Sequence, residues 1–201
     1  MKTKLFLLVS TLASLLLTAC SGMMDSAQPA KQLYMLMPLS GSPTMPTAEQ
    51  KPALSVTLDA VPGLDTDWIQ KLSSDASLAR YANARWPDHL PEVLTSVIQR
   101  SLASSGRFSA VEQSSRAAGG AWMIQLEVEK FYGLQGATGE TTSVVTQIAG
   151  SIECNNHGES FTLSDSVAVG SERLSSVVAA HQQGLNDVTQ QLLKKIFEVC
   201  P

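Results

Sequence analysis

The chain is poor in the groups that carry chemistry. It holds three cysteines and three histidines. It has no G-x-S-x-G turn, no phosphate-cradling glycine loop and no His-Glu-x-x-His, so the common routes to a nucleophile, a nucleotide site or a catalytic zinc are missing. No run of lysine and arginine occurs: 14 basic residues stand against 18 acidic ones, a formal net charge of −4. That balance excludes a basic footprint for nucleic acid and a polybasic patch for anionic lipid. Cys154-Asn155-Asn156-His157 has the spacing of half a zinc site, yet no second ligand pair lies at a matching spacing and a structural zinc takes four. Neither metal nor cofactor is expected. Serines are many and none is marked, while Glu127 and Glu129 alternate onto one strand face, where solvated acids are the ordinary outcome.

One long apolar run is present, and it stands at the start. Lys2 and Lys4 precede Leu5 to Leu17, a stretch of the length a signal peptide uses and too short for a permanent membrane span. Leu17-Thr18-Ala19-Cys20 resembles the bacterial lipobox, which implies cleavage before Cys20 and acylation of its thiol. The alternative is an ordinary secretory cut that leaves Cys20 a free thiol. Three acyl chains bury several tens of methylenes at ~0.8 kcal/mol each, which makes such an anchor effectively permanent. Ser21 follows where an aspartate would imply inner-membrane retention, so the resemblance implies the outer membrane, facing the periplasm. Loss of Lys2 and Lys4 takes the net charge from −4 to −6. The chain thus divides into a signal peptide (1–19), a lipidated flexible tether (20–31, with Pro29) and one domain (32–201). With Cys20 acylated, Cys154 and Cys200 remain as an even pair in an oxidising compartment, and a disulfide between them is expected; two unpaired buried thiols are the alternative.

Within the domain the period of the apolar residues assigns the elements. Gln32 to Met37 reads as a strand buried on both faces, and residues 54–61 as a strand with one wet face, stopped by Pro62 and Gly63. Residues 64–85 read as a hairpin turning at Ser73 to Ala76. Leu90, Val93, Leu94, Val97, Ile98 and Leu102 recur at helical spacing over 86–105, with Pro87 suiting the first turn and Gly106 a left-handed stop. Phe108 to Glu112 is a short strand, and Gly119-Gly120 separates it from 121–131, where Trp122, Ile124, Leu126 and Val128 share one side. Gly133, Gly136 and Gly139 mark a loop. Val144 to Ile152 and Phe161 to Val169 then complete an antiparallel meander around a tight turn at Asn155 to Gly158. From Leu174 to Val199 runs the strongest helical stripe, with His181 on it. The expectation is a two-layer α+β domain: a mainly antiparallel sheet with two amphipathic helices packed on one face.

Tyr34-Met35-Leu36, the segment from Ala79 to Leu94 with Tyr81 and Trp86, Phe131-Tyr132, and the ending Val177-Val178-Ala179-Ala180-His181 occur in an order and spacing that resembles the ABC-type transport auxiliary lipoprotein family. Membership would imply a non-enzymatic adaptor that acts with a mammalian-cell-entry-domain protein in moving phospholipid between the two membranes, with a ring of several copies as one arrangement it could take. One departure is Asp67-Trp68, where many relatives carry a basic residue. Trp68, Ile69, Tyr81 and Trp86 are the candidate partner surface, since aromatics are enriched in interface centres. The competing assignment is that they plug the core where helix meets sheet. His89 and His181 are read as a polar residue of a helix start and a packed core residue. Two other functions fit the same anchor: a pilot-like assembly lipoprotein, and a tethered hydrolase, for which no nucleophile with a base is present.

Overall fold

In the computed structural model, residues 31–40, 51–113, 122–155 and 157–201 are described, all within one unit from Lys31 to Pro201. The expectations for Cys20, the signal peptide, the tether up to residue 30 and Gly119-Gly120 lie outside the described residues.

Eight strands form one sheet: β1 (Gln32–Leu33), β2 (Leu54–Ala60), β3 (Trp68–Leu72), β4 (Leu78–Arg85), β5 (Val111–Glu112), β6 (Trp122–Gln135), β7 (Thr141–Cys154) and β8 (His157–Ala168). Two helices are described, α1 (Leu90–Ser104) and α2 (Leu174–Val199). The α+β class is as expected. The sheet, however, is mixed rather than mainly antiparallel, because β2 runs parallel to both β5 and β6, β3 parallel to β6, and β1 parallel to β4. Alternation of apolar residues reports which face a strand buries and not the direction of its neighbour, so only the β6–β7–β8 meander and the β3–β4 hairpin were legible as antiparallel pairs.

β6 is the spine. One edge pairs along nearly its whole length with β7, while the other holds β2 against Trp122 to Val128 and β3 against Gly133 and Leu134. Trp122, Ile124, Leu126 and Val128 are buried; Gln125 and Glu127 are exposed. A bulge at Glu129 then shifts the parity by one, so that Phe131 returns to the core face opposite Thr146. This bulge lets one strand outlast its own alternation, and Gly133 lies in the strand rather than in the expected loop.

Both helices bury their stripes in the same core: Leu94, Ile98 and Leu102 from α1, and Leu185, Leu192 and Ile196 from α2, against Ile124, Val128, Ile148 and Ile152. α1 starts at Leu90, with His89 as its N-cap residue and Pro91 in the first turn, so Pro87 lies outside the helix. The orphan amide of Leu90 is satisfied by the carbonyl of Thr66 at 3.0 Å instead of a side-chain cap. Gly106, at φ +66°, ends α1 in the left-handed conformation that glycine adopts without strain.

Gln32 to Met37 departs most from expectation. Only Gln32 and Leu33 pair with β4, and Leu33, Met35 and Met37 are exposed while Leu36 is buried. After Tyr34, whose amide donates to the carbonyl of Arg85, the chain leaves the sheet and runs to the helices. There the Gln182 amide clasps both backbone groups of Met37, and the Leu39 amide donates to Ser101 Oγ.

Candidate functional site

The hairpin β3–β4 and the ends of the two helices next to it hold most of the residues singled out above. Asp75 shapes the turn, since its carboxylate accepts from the Ser73 hydroxyl and the Ser77 amide. Beyond the turn the ladder is uneven: Gln70 faces Arg80, yet Trp68 faces Arg85, so the four residues from Tyr81 to Ala84 stand opposite Ile69 alone. Asn83 takes φ 57° within that arch. The surplus residues curl β4 and bring both arginines onto one indole.

Trp68 is therefore held between two cations. The Arg80 guanidinium lies 3.8 Å and that of Arg85 3.6 Å from the ring centroid. Stacked guanidinium and indole attract through the charge and the ring quadrupole, by roughly 0.5–2 kcal/mol each according to desolvation. Arg85 also donates to the Asp67 carboxylate, while its Nε is buried without a hydrogen-bond partner. Trp68 remains partly exposed and Arg80 exposed. Asp67, the departure noted in the sequence, thus holds one of the two arginines.

The other three candidates divide. Ile69 (0 % exposed) and Trp86 (1 %) are core residues, which removes them from any surface. Tyr81 is half-buried; its hydroxyl bonds Thr141, Lys71 Nζ lies 5.2 Å over its ring, and burial raises its pKa. Behind the hairpin, Trp86 meets the His181 imidazole edge-on at 5.4 Å, and Phe131 meets it at 4.5 Å. Neither ring nitrogen of His181 has a hydrogen-bond partner, and complete burial pushes its pKa down to about 3. A neutral imidazole sealed among aromatic rings cannot serve as a base for an outside molecule.

Two further features had no signal in the sequence, because the residues that make them are far apart in the chain. His89 Nδ1 bonds Asp65 at 2.8 Å, with Glu92 beside them, and the three donor atoms lie within 4.8 Å of one another. All three are exposed and supply fewer ligands than the four of a structural zinc. The bond to Asp65 raises the His89 pKa. An open groove lies along α2, with Arg107 over the Phe197 ring at 5.0 Å and Phe108 stacked on it at 5.7 Å. The Cys154 sulfur is bonded to that of Cys200, their Cα atoms 6.0 Å apart, so Cys154 offers no ligand beside His157. No helix among the described residues is long and apolar enough to cross a membrane. The arrangement offers aromatic and cationic contacts at the surface and buried packing behind them.

The family model for the ABC-type transport auxiliary lipoprotein component matches residues 34–192. In fold the chain is similar to a crystal structure of a protein from Xanthomonas campestris, at 18% identity and TM-score 0.68, covering 84% of this chain and 96% of that one. It is also similar to the crystal structure of an uncharacterized protein, at 13% identity and TM-score 0.67, covering 83% and 99%. No curated protein matches the sequence.

Proposed function

Because this chain belongs to the ABC-type transport auxiliary lipoprotein family, we propose that it is the outer-membrane-anchored adaptor of a mammalian-cell-entry-type ABC transport system that carries phospholipid across the periplasm. The observation that carries the reading is the family match over 34–192 on a chain whose start has a lipobox at Cys20. Acyl chains on Cys20 hold the protein at the inner leaflet of the outer membrane, and Ser21 fits that destination. The folded domain then docks the end of a periplasmic conduit and does no bond chemistry of its own. The Arg80–Trp68–Arg85 stack is the docking residue set: a partly exposed tryptophan fixed by two arginines has the composition and rigidity of an interface hot spot. Crosslinking in whole cells followed by purification of this chain tests the reading. The expected product contains a mammalian-cell-entry-domain protein. A product holding only components of another envelope complex would instead make the chain an assembly lipoprotein.

A further inference from the structure

We propose that Leu33, Met35 and Met37 form a ridge on which the domain rests against the lipid bilayer that holds its acylated end. The inference builds on acylation of Cys20 and adds a second, non-covalent contact to it.

Four large hydrophobic side chains are exposed among the described residues: Leu33 (62 %), Met35 (65 %), Met37 (60 %) and Leu78 (40 %). Three of the four fall within five consecutive positions and share one parity of an extended segment, while Leu36, of the opposite parity, is buried. The ridge is built into the fold. Tyr34 ties it to β4, Gln182 of α2 holds both the amide and the carbonyl of Met37, and Ser101 of α1 receives the Leu39 amide. A segment pinned to a strand and two helices keeps three apolar side chains in water for as long as nothing covers them.

Its place in the chain says what covers it. The ridge is the first part of the fold reached from Cys20, and an extended chain gains at most about 3.3–3.6 Å per residue, so the 13 steps from Cys20 to Leu33 span no more than ~45 Å. Lys31, exposed and two residues before Leu33 on the Cys20 side of the chain, adds a cation beside the ridge. Leucine and methionine suit the boundary between headgroups and acyl chains, methionine because its unbranched thioether adapts to an irregular surface. Such a contact is weak alone, yet a covalent anchor this close supplies the high effective concentration that makes it persist.

The test uses the full-length chain in its own envelope, with p-benzoyl-phenylalanine replacing Met35 in one variant, Leu33 in a second, and the exposed Thr162 of β8 in a third. After irradiation, mass spectrometry identifies what is bound. Phospholipid adducts several-fold more abundant at 33 or 35 than at 162 are expected. Adducts there to a second copy or to another protein, equal lipid labelling at all three positions, or no lipid labelling would overturn the proposal. A combined Leu33→Ser, Met35→Ser and Met37→Ser variant, with the probe replacing Lys31, should lose most of the lipid adduct and keep the wild-type melting temperature; an undiminished adduct would also overturn it. Flotation of wild type against a chain exported by an ordinary cleavable secretory signal peptide in place of residues 1–20 tests the anchor separately. If only the wild type floats, acylation stands and the crosslinks judge the ridge alone; if neither floats, both fail together.

Discussion

His181 places an imidazole where no hydrogen bond reaches it, between Trp86 and Phe131. An unfolded histidine titrates near 6.5, and burial holds this one neutral down to about pH 3. The folded pKa is depressed, so the unfolded chain binds the extra proton, and the contribution to stability is complete above pH 6.5 and lost as pH falls towards 3. At about 1.4 kcal/mol per pH unit, the loss across that window is on the order of 5 kcal/mol. Chemical denaturation at pH 7.5 and pH 4.5 should show His181→Leu losing less stability on acidification than wild type; equal losses would refute the assignment. Replacement by leucine should be close to neutral at pH 7.5, because the imidazole satisfies no polar group there. Gly184, one turn further along α2, is constrained differently. A Cβ there would stand 2.8 Å from Oγ1 of Thr146, which is fully buried, so one of the two must shift. Gly184→Ala should cost about 1–3 kcal/mol in denaturant unfolding, and Thr146→Ala in the same chain should recover part of it. That histidine 181 belongs to a core stripe was readable from helical spacing. That it sits under a tryptophan from position 86 was not, since no local pattern relates the two.

At the scale of elements, the bond between Cys154 and Cys200 fastens the end of β7 to the end of α2 across a separation of 46 residues. Closing a loop of that size is worth roughly 4 kcal/mol in the chain-entropy account. The double variant Cys154→Ala and Cys200→Ala should lower unfolding free energy by about 2–4 kcal/mol. The amides of the last turns of α2 should then lose hydrogen-exchange protection before those of β6. Alkylation without reductant should label neither thiol in the wild type, and labelling of both would refute the bond. The meander, the β3–β4 hairpin and both helices were legible because each shows its period over a long stretch. β1 was not: Leu33, Met35 and Met37 carry the alternation of a buried strand, but only Gln32 and Leu33 pair at the sheet's edge before the chain turns to the helices, and only Leu36 enters the core. Likewise the bulge at Glu129 and the arch from Tyr81 to Ala84 are set by what lies across the ladder, and a single strand's sequence does not show its neighbour.

For the whole molecule, attachment and docking are separable. Replacing residues 1–20 by an ordinary cleavable secretory signal peptide should release the chain from the membrane fraction without changing the melting temperature of the domain, as followed by fractionation and by thermal unfolding. Trp68→Ala should leave it in the membrane and weaken capture of the conduit protein by roughly 30-fold, the effect of losing a hot spot of about 2 kcal/mol. Capture at wild-type strength would remove the Arg80–Trp68–Arg85 stack from the docking surface. The amino-acid sequence by itself determined the α+β class, the amphipathic faces of both helices and the family, because these rest on the period and order of residues within continuous segments. Only the tertiary structure decided that the sheet is mixed, that Ile69 and Trp86 are core while Trp68 is partly exposed between two arginines, and that Leu33, Met35 and Met37 are left uncovered by the rest of the fold. Each of those outcomes depends on which distant segment comes to lie alongside, and contact between distant segments is settled by packing, on which local periodicity carries no information.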